Sequence, residues 1–73
     1  MKDYLVRTVN GYGRTYQFDT EQEAIKTADK NQKTRKWDIV VLKKIEEGTE
    51  GTLYKECYNA RSNKLSQYRY GFH

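Results

Sequence analysis

The 73-residue chain contains no proline, only one cysteine and only one histidine. One cysteine cannot form an intramolecular disulfide, and a small secreted protein usually needs such bonds because its core is small. We therefore expect an intracellular, cytoplasmic protein. No hydrophobic run approaches the ~18 residues that cross a bilayer, and the N-terminal residues lack the apolar stretch of a signal peptide, so we expect no membrane partner.

The residue types that perform catalysis or bind metals are scarce and scattered. His73 is the last residue, where a side chain is seldom held rigidly enough to transfer protons. Cys57 lies in a predicted strand with no second cysteine or histidine beside it, which is typical of a small buried hydrophobic side chain. Glu46, Glu47 and Glu50 surround a turn, where solvated charge is the usual explanation. We expect neither an enzyme nor a bound metal or cofactor.

Aromatic residues compensate for a small apolar fraction. Only 36% of the residues are hydrophobic and 33% are charged, but 14% are aromatic. Each aromatic ring buries a large area, so this composition favours a folded chain over a disordered one. At this length we expect a single core, and we assign residues 1–73 to one domain.

The first eighteen residues predict a β-hairpin. Residues 4–9 are mostly β-branched or aromatic, which favours a strand, and residues 10–13 (Asn-Gly-Tyr-Gly) tolerate the positive φ angles of a turn. Residues 14–18 alternate, with Tyr16 and Phe18 on one face, which predicts a second, antiparallel strand. Because this glycine pair joins two strands, turn chemistry explains it better than a phosphate-binding loop, which leads from a strand into a helix.

A helix follows the hairpin. Thr20 and Glu23 fit a capping box, and Asp19 is an alternative N-cap. The helix is expected to end near Asn31. Its narrow apolar stripe consists of Ala24, Ile25 and Ala28. Small residues on this stripe would let the helix lie close to a sheet.

A second hairpin is predicted in the next third of the chain. Residues 37–45 form its longest strand, and apolar residues on both faces indicate a central position in the sheet. One face of this strand carries Trp37, Ile39, Val41 and Ile45, and the other carries Val40 and Leu42. Residues 46–51 are predicted to be an open connection, and residues 52–58 the return strand, with Tyr54 and Tyr58 on the same face.

The last fifteen residues leave two alternatives open. Residues 59–64 resemble a turn, and in residues 65–72 three aromatic residues alternate with polar residues or glycine, which predicts a fifth strand. The alternative is a tail that becomes ordered only on a partner. The expected fold is a small ββαββ(β) α+β domain, with an antiparallel or mixed sheet and one helix packed on one face.

Positive charge is concentrated in two segments. The chain carries a net charge of +4; residues 33–44 carry +4, residues 45–56 carry −3 and residues 57–73 carry +3. The C-terminal segment interleaves cations with aromatic residues, which suits single-stranded nucleic acid because bases stack on rings while Lys and Arg contact phosphates. The candidate binding residues are Lys33, Arg35, Lys36, Lys43, Arg61, Lys64, Tyr68, Arg69 and Tyr70.

Residues 13–24 read Gly-Arg-Thr-Tyr-Gln-Phe-Asp-Thr-Glu-Gln-Glu-Ala. This run resembles the hairpin-then-helix passage of the arm-binding DNA domains of integrases, in which a strand ending in Phe leads through Thr into a helix beginning Glu-Ala. The resemblance implies recognition of the DNA major groove by the sheet. It covers about a sixth of the chain. Those domains usually end at the helix, whereas this chain continues with two or three predicted strands.

Two functions from different classes are compatible with these observations. The first is a nucleic-acid-binding module, which the cations and aromatic residues of the C-terminal segment favour slightly. The alternative is a protein-binding regulator or inhibitor of the kind found in bacteriophages and mobile elements, acting through a Tyr-rich sheet face or edge. The same basic residues could serve solubility alone, and the chain could be a monomer or a homodimer.

Overall fold

The computed structural model describes residues 2–11, 13–65 and 69–72, with side chains described for residues 2–11 and 13–63. In chain order, the elements are β1 (Tyr4–Thr8), β2 (Tyr16–Phe18), α1 (Glu21–Gln32), β3 (Ile39–Gly48), β4 (Gly51–Asn59), β5 (Lys64–Leu65) and β6 (Arg69–Phe72). Strands β2, β1, β3 and β4 lie side by side in that order, and β5 and β6 pair with the outer edge of β4. All of these pairings are antiparallel, and α1 packs on the sheet. The predicted small α+β fold is therefore confirmed.

The helix begins where the capping box predicts. Thr20 is the N-cap: its hydroxyl oxygen accepts from the Glu23 backbone N–H at 3.3 Å, and the hydroxyl donates to the Glu23 carboxylate at 2.8 Å. These bonds satisfy an N–H group that would otherwise lack a helical partner. Thr20, and not Asp19, is the cap, and the helix ends at Gln32, one residue beyond the predicted end.

One face of the sheet, the helix face, packs against α1. Its buried residues are Val6, Ile39, Val41 and Tyr58, together with Ala24 and Ala28 from the helix. Both alanines are 0% exposed. Because a methyl group is the largest side chain that these positions hold, α1 lies close to β1 and β3. Tyr16 and Phe18 also contact this cluster, as the alternating pattern of the second strand predicts.

The opposite face of the sheet has its own buried layer. Leu5, Val40 and Leu42 form it, and Tyr54 packs against them. Strand β3 lies between β1 and β4 and is buried on both faces from Ile39 to Leu42. The predicted central position of this strand is therefore confirmed.

The two ends of the predicted central strand were placed wrongly. Trp37 lies outside β3 because its carbonyl accepts from the Gln32 side chain at 3.1 Å, so the backbone joins the sheet only at Ile39. Ile45 lies at a register irregularity and is exposed. The predicted open connection over residues 46–51 is also wrong, because β3 continues to Gly48, which pairs with Gly51. Gly51 has a φ of 129°, which residues with a side chain rarely adopt.

A register shift in β4 reverses the faces of its two tyrosines. Val41 pairs with Tyr58 and Leu42 pairs with Glu56, so Cys57 is an extra residue, a β-bulge. Tyr58 therefore lies on the helix face and Tyr54 on the opposite face, and the prediction that they share a face is wrong. Cys57 is half-buried and packs on the helix face, and burial raises the pKa of its thiol to about 11.

The remaining differences concern the first hairpin and the C-terminal segment. Strand β2 begins at Tyr16 and not at position 14. The Thr8 carbonyl accepts from the Gly11 N–H at 3.0 Å, and this turn prevents residues 14 and 15 from pairing with β1. The described residues of the predicted fifth strand belong to β5 and β6. Tyr12 and Tyr68 lie outside the described residues.

The close approach of α1 to the sheet makes Ala28 sensitive to size. We expect Ala28→Leu to lower the free energy of unfolding by about 1–3 kcal/mol, since a larger side chain must displace the helix from the strands beneath it. Lys26→Leu, on the exposed side of α1, adds the same side chain without this clash. Urea unfolding of both variants measures the difference. Equal stabilities for the two variants would contradict the close packing.

A buried tyrosine links α1 to the turn after β4. The Tyr58 hydroxyl donates to the Asp29 carboxylate at 2.7 Å and contacts the side-chain amide of Asn63. Burial, followed by the bond to Asp29, raises the pKa of Tyr58 from 10.0 to about 12.

This raised pKa predicts a pH-dependent contribution to stability. It is fully present below pH 10 and is lost as the pH rises from 10 towards 12, because the unfolded chain releases its proton first. We expect the stability difference between the wild type and Tyr58→Phe to shrink across this range, measured by urea unfolding. Parallel pH curves for the two proteins would contradict the assignment.

Candidate nucleic-acid interface

The sheet topology gathers several basic residues at one end of the molecule. Thr8 at the end of β1 pairs with Ile39 at the start of β3, and the backbone N–H of Ile39 donates to Gln32, the last residue of α1, at 2.7 Å. Asn59 at the end of β4 pairs with Val40 at the same level. We call the surface here the basic end; its residues are Arg14, Lys30, Lys33, Arg35, Lys36 and Trp37.

The acidic residues of the β3–β4 hairpin lie away from the basic end. Residues 30–38 contain four cations and one acid, and the cations are exposed. Glu46, Glu47 and Glu50 lie at the tip of the β3–β4 hairpin and are also exposed. Seven residues of strand separate Ile39 from Glu46, which corresponds to about 23 Å. The acidic segment that follows the basic one in the sequence is therefore well separated from the basic end in space.

The side chain of Arg61 forms hydrogen bonds to the segment that follows the helix. Its Nε donates to Asp38 Oδ1 at 2.5 Å, and its Nη2 donates to the carbonyls of Lys36 at 2.6 Å and Arg35 at 3.3 Å. A guanidinium suits this task because its donors are fixed in a planar fork. The prediction includes Arg61 among the binding residues; the structure brings it to the basic end, where its Nε and Nη2 groups bond to the chain and its charge offsets that of Asp38.

Gln32 holds the same segment from the helix side. Its Nε2 donates to the carbonyls of Trp37 at 3.1 Å and Arg35 at 3.4 Å, and its Oε1 accepts from the Ile39 N–H. Residues 34–38, which we call the Trp37 loop, are thus held by one side chain from α1 and one from the turn after β4. This loop is held in place although its side chains are largely exposed.

Trp37 is a feature of the basic end that the sequence pattern concealed. Its side chain is 49% exposed, and the Lys36 ammonium lies 5.8 Å from the centroid of its ring. The alternation with Ile39 and Val41 predicts that Trp37 shares a face of the central strand with them. A signal was available in the sequence, because Trp37 follows Arg35 and Lys36 directly and a buried strand rarely begins with two cations.

A small open cleft lies beside the Trp37 loop. It is shallow and open to solvent, and it lies between the edge of β1, the end of the first hairpin loop and the end of α1. Arg14 and Arg35 both line it, together with Asn31 and Tyr16. Two exposed arginines that are distant in the chain thus face one concave surface, which is an arrangement that suits the oxygens of a phosphate group.

The other predicted site residues lie at different places. Lys43 is exposed on β3, 5.9 Å from the centroid of the Tyr4 ring and opposite Lys55, nearer the middle of the sheet. The backbone of Lys64 pairs with Asn59 and so lies at the basic end, whereas Arg69 pairs with Lys55. Tyr70 follows Arg69 in β6. The structure therefore brings together Lys33, Arg35, Lys36 and Arg61, and the backbone of Lys64.

Metal ligands do not converge in the part of the chain that the structure describes: it contains no group of three or more His, Cys, Asp or Glu residues able to hold a metal ion. Within the same residues, no helix is long and apolar enough to span a bilayer. The chemistry available at the basic end is that of cations, amide groups and aromatic rings.

The contacts of Arg61 predict a measurable effect on stability. We expect Arg61→Ala to lower the free energy of unfolding by about 1 kcal/mol, because the ion pair is partly solvated and the remaining bonds go to backbone carbonyls. Arg61→Lys should recover little of this loss, since an ammonium cannot reproduce the fork. Urea unfolding is the measurement, with Arg14→Ala as the control for removing an exposed arginine. Full recovery by lysine would show that charge alone matters here.

Comparison with family models, with curated proteins and with solved structures finds no match to this chain. A functional proposal therefore depends on the residues of the basic end.

Proposed function

We propose that this protein is a non-catalytic nucleic-acid-binding module of the cytoplasm and that its basic end contacts the phosphate backbone. The observation that carries the proposal is the convergence of Arg14, Lys33, Arg35 and Lys36 at one end of the sheet, with the hairpin acids about 23 Å away along β3. Phosphate contacts supply most of the sequence-independent affinity for nucleic acid.

The charge separation supports this proposal more than the net charge does. A net charge of +4 is ordinary for a small soluble domain, but cations concentrated at one end create a local positive potential that attracts a polyanion. Asp38, the acid that follows the cluster in the sequence, is paired with Arg61. It therefore contributes little repulsion towards a phosphate bound at Lys33, Arg35 or Lys36.

The alternative, a protein-binding regulator acting through tyrosines, receives less support from the described residues. Tyr4, Tyr16 and Tyr54 are half-buried against the two core layers, and Tyr58 is buried. These four rings are therefore used largely for packing. The large apolar residues exposed in the described part of the chain are Val9, Trp37 and Ile45. Val9 and Trp37 lie at the basic end, Ile45 lies between Lys44 and Glu46, and the centres of protein interfaces are depleted in charge.

Two variants of equal net charge test the proposal. The first replaces Lys33, Arg35 and Lys36 by Gln; the second replaces Lys2, Lys43 and Lys55 by Gln, and each lowers the formal net charge from +4 to +1. We expect the wild type to bind oligonucleotides with an affinity that falls steeply with salt. The first variant should reduce the slope of log K against log salt by about 2–3, because up to three phosphate contacts are removed.

The second variant is the matched control and should keep most of the wild-type slope. Fluorescence anisotropy with labelled single-stranded and duplex oligonucleotides, measured at several salt concentrations, gives these slopes. Equal losses in both variants would show that net charge, and not the basic end, determines binding. Absence of binding by the wild type at low salt would refute the proposed function.

A further inference from the structure

We propose that Trp37 is a base-stacking residue and that the ligand of the basic end is single-stranded nucleic acid. This inference rests on the proposed function, which it extends by naming the form of the ligand and the residue that recognises it. It is carried by three properties of Trp37: the exposure of its ring, the fixation of its backbone and the cations that surround it.

Packing among the described residues does not explain the exposure of the ring. Trp37 is the single tryptophan of the chain, and 49% of its surface is exposed. Tryptophan is on average a well-buried residue, and in a chain this small a buried indole would add substantially to the core. The ring belongs to neither of the buried clusters formed by the described residues. What ties Trp37 to the structure is its carbonyl, which accepts from Gln32.

The backbone that carries the ring is held on both sides. Gln32 contacts the carbonyls of Arg35 and Trp37, and Arg61 contacts those of Arg35 and Lys36 and the carboxylate of Asp38. A side chain on an ordered loop loses less conformational entropy on binding than one on a mobile loop. An exposed aromatic ring on a fixed backbone is therefore suited to receive a flat partner.

The cations around the ring match the chemistry of a nucleotide strand. The Lys36 ammonium lies 5.8 Å from the ring centroid, and the exposed side chains of Lys33 and Arg35 lie in the adjacent turn. In a strand, each base is followed by a phosphate, so a base stacked on Trp37 would bring its phosphates among these cations. The cleft lined by Arg14 and Arg35 lies beside the loop and could take the phosphate of a neighbouring nucleotide.

The form of the ligand follows from the accessibility of base faces. In a duplex, the bases stack on one another and their faces are covered, so an exposed indole would gain no partner. In a single strand, the faces are available, and stacking on aromatic side chains is a common mode of binding with little sequence preference. The geometry therefore favours single strands over duplexes of the same sequence.

Trp37 itself reports on the proposed contact, because no other tryptophan contributes to the fluorescence of the chain. Titration with an unlabelled twelve-nucleotide single strand should quench this fluorescence, and the duplex of the same sequence should bind more weakly with less quenching. We expect Trp37→Ala to weaken single-strand binding about 5- to 150-fold. The salt slope should stay unchanged, because no phosphate contact is lost.

Two control variants distinguish stacking from a general effect of the loop. Trp37→Phe keeps an aromatic face and should retain part of the affinity that Trp37→Ala loses. Val9→Ala truncates another exposed apolar residue, 40% exposed and joined to the Trp37 loop by its N–H bond to the Asp38 carbonyl, and should leave affinity unchanged. Circular dichroism and urea unfolding should show all three variants folded, because neither side chain belongs to the core.

The outcomes separate this inference from the proposed function. Salt-dependent binding without quenching, with full affinity in Trp37→Ala or with equal affinity for the duplex, would overturn the stacking role and leave the basic end as a phosphate-binding surface. Absence of binding to any oligonucleotide, with a protein partner found to bury Trp37, would overturn both. Quenching by single strands together with the loss in Trp37→Ala would support both.

Discussion

The fold depends on one strand that is buried on both faces. From Ile39 to Leu42, the side chains of β3 alternate between the layer beneath α1 and the layer on the opposite face, and all four are almost fully buried. In a chain of 73 residues this is the only described segment that serves both layers continuously, so β1, β4 and α1 are all positioned against it. With α1 covering only one face of the sheet, burial of the other layer depends on side chains of the strands themselves, such as Tyr54.

The position of this strand also determines where the charges lie. Because β3 begins next to the end of α1, the cations that follow the helix must lie at the end of the sheet where β1 and β4 finish. Because β3 continues past the helix as an arm of the hairpin, the acids that follow it are carried away from those cations. The cations that follow the helix and the acids of the hairpin, which are neighbours in the sequence, are thus separated by about 23 Å along β3.

Local patterns predicted much of this fold, and long-range contacts explain what they missed. The capping box at Thr20, the alanine stripe of α1 and the apolar run of β3 each reflect a local physical requirement, and each was predicted correctly. Trp37 was misplaced because a bond from Gln32, five residues earlier, draws its carbonyl out of the strand. Periodicity cannot reveal such a bond.

The β-bulge in β4 and the basic end also depend on long-range contacts that the sequence pattern does not reveal. The extra residue in β4 appears only when β4 is paired with β3, so the faces of Tyr54 and Tyr58 could not be read from β4 alone. The sequence shows Lys33, Arg35 and Lys36 as a run of positive charge, but it does not show which distant residues lie beside them in the fold. Arg14 reaches the same cleft through the first hairpin, and Arg61 reaches the loop from the turn after β4.

The bulge at Cys57 also protects the second hairpin against a slip in register. If Cys57 took a regular place opposite Leu42, the Glu56 side chain would turn from the opposite face to the helix face. Its carboxylate, which is buried in the native register, would then lie opposite Lys43. Tyr54 would turn with Glu56 and leave the layer of Leu5, Val40 and Leu42, and Lys55 would face that layer instead, so the loss of this apolar contact disfavours the misaligned hairpin.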